Sequence, residues 1–425
     1  MKKFFAMLLT LALVLSLAAC GGGSGGSGDS GSGSGDSSQA PADSGSGSGD
    51  SSQAPADSGS SSGDKVVRIG VFEPATGDSG AGGKQEMLGM QYGNKETPTV
   101  EIGGETYNVE LVYADNASSA DKAPTAASQL VSQDVSLVLG TYGSSSAIAG
   151  GPIFGEAGLA AIGVTCTNPG VTAGNDYYFR ICFLDPFQGT VLANFASEKF
   201  SAKKAYLLGE LGNDYDQGLL NYFKQAFETV GGQCVVDSFP TNTSDFSTYL
   251  NKAVAEGADV IFCPVSIAYS TQIVKLAASM GLETPILGSD TLDSNKVLDA
   301  AKGSGVKLYV STFYQEGGSP DFDSGIKAWL NEDSTAMTNN GGDDTIAAVT
   351  AMGYDAYYVA LEALKAAGST DKAAVKAALP ALTYTGVSGD IAFDATGDAI
   401  RDTAYIKTAD NAAGAWTLET VQTVK

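Results

Sequence analysis

Three serines in a row, Ser144, Ser145 and Ser146, stand in GTYGSSSAIAG. Before them is the apolar run VSLVLG, which reads as a buried strand; after them is an alanine- and glycine-rich stretch that reads as a helix. Hydroxyls placed there suit a nucleophile, a phosphate cradle or a grip on another anion. The 425-residue chain contains no histidine. That removes Ser–His–Asp and Cys–His catalysis, the histidine-containing zinc sites and the commonest general base. From Val66 onward there is no GxSxG elbow, no GxxxxGK[ST] and no GxGxxG, so neither a strained serine nucleophile nor a phosphate loop is supported. What remains is a helix start. The first N–H groups of a helix lack partners and its dipole favours an anion. One serine capping the helix accounts for the same residues equally well.

Three further segments follow apolar runs. TCTNPG places Thr165 and Thr167 in a second hydroxyl-bearing loop, which is also a plain Asn-Pro turn. GSDTLDS places Asp290 just past TPILG. An acid there caps the next helix or, facing the hydroxyl loops, binds a cation. GNDYDQG lacks the spacing and terminal Glu of a calcium loop and reads as a helix start with Tyr215 towards a cleft. Hydroxyls and helix amides on one side and a carboxylate on the other suit a zwitterion. Cys166, Cys182, Cys234 and Cys263 contain no CxxC. They read as small apolar core residues rather than metal ligands, although in an exported protein four cysteines pair in three ways. No cofactor or metal is expected.

The elements that must position these residues follow a simple alternation. VVRIGVF, VSLVLG, LAAIGV, YYFRICF, KKAYLLGE, ADVIFCPV, TPILGSD and GVKLYVSTF read as strands, with helical stretches between most of them. EIGGETYNVELVYAD reads as a hairpin feeding a core strand. DYDQGLLNYFKQAFETVGG is an amphipathic helix ending in Gly-Gly. Further helices are expected near Asp321–Leu330 and over Thr345–Ala367, and the tail (GDIAFD, TAYIKTAD, GAWTLETV) is strand-rich. Strand–helix alternation in two sets predicts two doubly wound α/β domains with parallel sheets. In such sheets ligands sit beyond the carboxyl ends of the strands, which is where the hydroxyl loops and Asp290 fall.

The chain begins with two lysines, an apolar core and LAAC, ending at Cys20. That is a signal-peptide layout over residues 1–19, with Cys20 as the residue to be lipidated. Residues 20–64 are Gly/Ser-rich, with GSGSGDSSQAPADS occurring twice, and are expected to be a disordered tether. The net charge of −24 argues against nucleic-acid binding and against electrostatic attachment to anionic lipid. From these features the protein is expected outside the cytoplasm, held at the outer face of the cell membrane by a lipid.

From Val66 to Lys425 the chain resembles the solute-binding proteins of branched-chain amino-acid ABC transporters, which have the type I periplasmic binding-protein fold. VRIGVFEPATG, LVLGTYGSSSAIAGGPIFGEAGLAAIGVTCTNP, ELGNDYDQGL and MGLETPILGSD carry the resemblance. It implies two lobes joined by three crossings near Arg180–Phe183, Thr312–Tyr314 and Val387–Gly389. The lobes would be 66–182 with 313–386, and 183–312 with 387–425. It implies a monomeric binding protein, not an enzyme, that delivers an amino acid to permease and ATPase subunits. Ser144 and the following amides, Ser145 included, would hold the ligand carboxylate. The Thr167 hydroxyl and the Thr165 carbonyl would help hold the ammonium, Asp290 would pair with it, and Tyr215 would close over it. Gly82 and Gly83 stand where leucine-type members have a tyrosine, Ser266 where they have another, and Gly143 where they have a disulfide cysteine. The amino-acid grip is kept and the side-chain pocket is altered. A branched-chain or other hydrophobic amino acid is the expected ligand. The alternatives are an amide, urea or small carboxylate, or a sensor role without transport.

Overall fold

The computed structural model describes residues 65–423. The signal segment, Cys20 and the tether lie outside the described residues. A first sheet contains β1 (Val66–Glu73), β2 (Thr99–Ile102), β3 (Glu105–Asp115), β4 (Leu137–Leu139), β5 (Ala161–Gly163) and β6 (Tyr178–Arg180), in the order β2-β3-β1-β4-β5-β6. Its strands pair parallel except for β2, which pairs antiparallel with β3 as the predicted hairpin. β4, β5 and β6 are buried at every residue. This is why they read as unbroken apolar runs: a parallel strand covered on both faces has no polar side to show. The intervening helices are α1 (Gly80–Glu96), α2 (Ala123–Ser132) and α3 (Ser144–Glu156).

The chain then enters a second set: α4 (Asp185–Phe200), β7 (Lys204–Glu210), α5 (Asp214–Thr229), β8 (Gln233–Phe239), α6 (Ser247–Ala255), β9 (Val260–Phe262), α7 (Ile267–Met280), β10 (Ile286–Gly288), α8 (Asn295–Ala301) and β11 (Leu308–Thr312). Next come α9 (Pro320–Glu332), α10 (Ser334–Asn339), α11 (Ala348–Ala367), α12 (Lys372–Ala378) and the hairpin β12 (Thr383–Gly386) and β13 (Gly389–Ala392). The last strands are β14 (Thr403–Asp410) and β15 (Ala415–Thr423), and the second sheet has the order β15-β14-β11-β10-β9-β7-β8. β14 and β15 extend it antiparallel and the remaining strands pair parallel. The architecture is mixed α/β with parallel-dominated sheets.

The strand expected at GDIAFD does not join the second sheet. β13 pairs only with β12, because Asp355 on α11 takes the Val387 and Ser388 amides, each at 2.8 Å, and so pins the turn of the hairpin to that helix. α11 itself lies across α1. A Cβ on Gly89 would come within 2.0 Å of the Thr350 carbonyl oxygen, and one on Gly353 within 2.0 Å of the Glu86 carbonyl oxygen. Only glycine lets the two backbones approach this closely, and the contact fixes Glu86. Arg401 ties distant passages of the chain together. Its guanidinium donates to the Ile181 carbonyl (2.5 Å), the Ser388 carbonyl (2.8 Å) and the Ser388 hydroxyl (2.9 Å).

Candidate functional site

A cavity of about 50 Å³ lies at the carboxyl ends of the strands, walled by loops from both sheets. The first-sheet side supplies Pro74, Ser79, Ser118 and the run Tyr142–Ser146; the second-sheet side supplies Asn213, Tyr215, Asp216, Ser266 and Thr291. No lysine or arginine is among them. Hydrogen bonds cross the cleft and hold it shut: Asn168 Nδ2 to the Asp214 carbonyl (2.9 Å), the Asp214 amide to Ser145 Oγ (3.0 Å), and Tyr142 Oη to the Thr291 carbonyl (3.3 Å).

The serine run is the start of α3, and its N-cap is Gly143, with no side-chain cap. The alternative that a serine merely caps the helix is therefore excluded. Ser144 is already the first helical residue. Its Oγ accepts from the Asn168 amide (3.1 Å) and Ser145 Oγ accepts from the Asp214 amide (3.0 Å). A hydroxyl whose lone pair is taken by an N–H keeps its own proton to donate. Two O–H donors thus stand beside the uncapped helix amides, where the dipole adds to the pull on an anion.

Asp290 begins a short 3-10 turn after β10, and the next helix, α8, is capped by Ser294 instead. Its Oδ1 accepts from Tyr215 Oη (2.6 Å) and Gln188 Nε2 (2.8 Å), and Gln188 also donates to Ser311 (2.8 Å). Burial pushes the Asp290 carboxyl up to about 6 in spite of these donors. Asp185 at the start of α4 is fully buried, and the same loss of water pushes it up to about 8. The Thr167 hydroxyl sits beside Asp185 and offsets part of that rise; Thr167 Oγ1 and both Asp185 oxygens are buried and have no other partner. Glu86 and Glu73 are buried carboxyls within reach of each other, and burial raises both. Two carboxyls can bond each other only through a shared proton. Glu73 also accepts from the Tyr142 amide (2.8 Å), and Thr165 donates its hydroxyl to Glu86.

Of the residues singled out in the sequence, Ser144, Ser145 and Tyr215 line the cavity. Asp290 lies directly behind Tyr215, joined to it by the hydroxyl. Thr165 and Thr167 are buried without lining the cavity. Thr165 spends its hydroxyl on Glu86. Cys166, Cys182, Cys234 and Cys263 are all free thiols. Sequence reasoning missed Glu73, Glu86, Asp185 and Gln188. It also missed the part played by Arg180, which is wholly buried, paired with Asp398 at 2.5 Å and bonded to the Cys166 and Asn168 carbonyls, so that it holds the threonine loop in place. Glu73 carried a usable signal, an acid at a strand end; the inward-facing residues of α1 and α4 carried none.

Residues 66–414 match the model of the periplasmic binding protein family. Leu/Ile/Val-binding protein homolog 3 of Brucella melitensis is 27% identical over 351 residues, covering 78% of this chain and 88% of the relative. An amino acid binding protein of Pseudomonas aeruginosa is 29% identical over 241 residues, covering 56% of this chain and 64% of that protein, just under two thirds of its length. Among solved structures, the leucine binding protein LivK of Thermotoga maritima superimposes with a TM-score of 0.75 at 30% identity, covering 84% of this chain and all but 1% of its own, 99%. LivJ of Streptococcus pneumoniae, in complex with isoleucine, gives 0.72 at 27% identity over 85% of this chain and 100% of that one. A Rhodopseudomonas palustris solute binding protein in complex with benzoate gives 0.73 at 19% identity, over 84% of this chain and 97% of that one, a likeness of fold alone.

Proposed function

The chain belongs to the periplasmic binding protein family, and from that premise we propose that it is the extracytoplasmic solute-binding component of an ABC importer, with an amino acid as its ligand. It is a binding protein rather than an enzyme, in line with its relatives. The observation that carries the amino-acid reading is the pairing of two unlike ends at one closed cleft. On one side, uncapped α3 amides and the Ser144 and Ser145 hydroxyls suit a carboxylate. On the other, Asp290 stands among buried acidic side chains, Asp185 and Glu86, and none of the ion pairs found involves any of them. An ammonium supplies the missing positive charge, since a buried carboxylate without a counter-charge is costly. The Thr167 hydroxyl and the Thr165 carbonyl complete the ammonium end, and Tyr215 closes over it. A simple carboxylate or an uncharged amide leaves those acids unanswered, which favours the amino acid over these alternatives.

In the same proposal Cys20 carries the lipid, the tether lets a monomer reach the permease, and the two lobes close on the ligand. Titration calorimetry of the full chain against the twenty amino acids, benzoate, urea and acetamide tests the reading. Micromolar binding of at least one amino acid is expected. If all twenty bind more weakly than about millimolar, the amino-acid assignment fails.

A further inference from the structure

The cleft also says what kind of side chain it accepts. No Leu, Ile, Val, Met or Phe lines it; besides Pro74 and two tyrosines the walls are Ser, Thr, Asn, Asp and Gly. Tyr142 walls the first-sheet side of the cavity. Its ring lies so close to Gly82 that a Cβ there would come within 2.4 Å of it. Its amide is held by Glu73 at 2.8 Å, and its hydroxyl reaches the Thr291 carbonyl on the opposite wall at 3.3 Å. The ring is 5% exposed and so has little room to swing aside.

We propose that the cleft selects an amino acid with a short, hydrogen-bonding side chain, of the serine, threonine or asparagine class, and that Tyr142 sets this limit. This rests on the amino-acid reading above. A branched aliphatic side chain would displace water from hydroxyls without replacing its hydrogen bonds, and a site built for polar contacts discriminates strongly against a ligand that cannot make them. The same walls hold a serine or asparagine side chain by ordinary donors and acceptors.

Calorimetry on the full chain decides the matter. L-Serine, L-threonine or L-asparagine should bind at least tenfold tighter than L-leucine, L-isoleucine, L-valine and L-phenylalanine. Tyr142→Ala should move the leucine-to-serine affinity ratio at least tenfold towards leucine. Tyr142→Phe, which keeps the ring and loses only the bond to Thr291, should weaken all ligands alike and keep their order. Leucine or isoleucine binding tighter than all three polar amino acids overturns the selection and leaves the amino-acid function standing; binding of none of the twenty overturns both. An unchanged ratio in a Tyr142→Ala variant that melts as a folded protein removes Tyr142 from the role, and a reversed order in Tyr142→Phe removes the size argument.

Discussion

Thr167 and Asp290 are both buried behind the wall of the cavity, and they differ in what they give the empty protein. Thr167 Oγ1 makes no well-formed hydrogen bond in the chain and has only the Asp185 carboxyl beside it, so its burial returns little stability; a fully unsatisfied hydroxyl costs about 1–3 kcal/mol. Thr167→Val should therefore leave the melting temperature of the ligand-free protein unchanged or raise it, while weakening ligand binding; a lowered melting temperature shows that the hydroxyl serves the fold instead. Asp290→Asn removes the charge that answers the ammonium. Loss of one member of a buried charge pair costs about 2–5 kcal/mol, so calorimetry should show affinity falling by roughly 30-fold or more, and a ligand bound equally well by this variant lacks the ammonium. Ser144, Tyr215 and Asp290 were legible because each follows an apolar run, and residues at strand ends face the cleft wherever the helices point. Glu86, Asp185 and Gln188 were not, because their inward direction is set by how α1 and α4 pack, and side-chain direction on a helix is invisible until its neighbours are known. Arg180 was hidden for the opposite reason: inside the strand-like YYFRICF it looked like a boundary, and its partner Asp398 lies 218 residues further on.

At the level of elements, unbroken apolar runs became parallel strands, and the Gly-Gly hairpin and the α5 helix formed where the local chemistry placed them. Asn213 caps α5 through bonds to the Tyr215 (3.1 Å) and Asp216 (3.3 Å) amides. Alternation failed for GDIAFD because a short strand with alternating residues fits either a sheet edge or a free hairpin, and Asp355, more than thirty residues earlier in the chain, decided between them. The helix crossing of α1 and α11 was likewise unreadable, since Gly89 and Gly353 look like ordinary helix-weakening glycines until the two backbones meet. Gly353→Ala pushes a methyl to within 2.0 Å of the Glu86 carbonyl oxygen. Overpacking of this kind costs about 1–3 kcal/mol, which urea titration should show as a lower midpoint. Because the strain falls on Glu86, ligand affinity should fall with it. An alanine variant with unaltered midpoint and affinity means that the helices can slide apart without moving the site.

The whole molecule carries a surplus of acidic groups, and several of them are buried at or behind the cleft. Burial raises Asp185 to about 8 and Asp290 to about 6, and raises Glu73, Glu86 and Asp216 as well. In the unfolded chain such groups titrate near 4. Between about pH 5 and pH 8 the folded protein therefore keeps protons that the unfolded chain has lost. Stability then falls as pH rises, by about 1.4 kcal/mol per pH unit for each proton so kept. This is opposite in sign to the usual carboxylate held by a salt bridge, whose stabilisation is lost on acidification. A cationic ligand group reverses the balance: it selects the ionised carboxyls, expels their protons and binds more tightly as pH rises across the same window. The ligand-free protein should melt highest near pH 5 and progressively lower towards pH 8, and the rise in melting temperature on adding ligand should grow over that range. Asp185→Asn, which cannot titrate, should flatten the ligand-free profile, most of all between pH 6 and pH 8, where Asp185 remains protonated after Asp290 has ionised. A ligand-free melting temperature that climbs from pH 5 to pH 8 would mean that these carboxyls are ionised and compensated in the folded protein, and with that the case for a site awaiting a cation is lost.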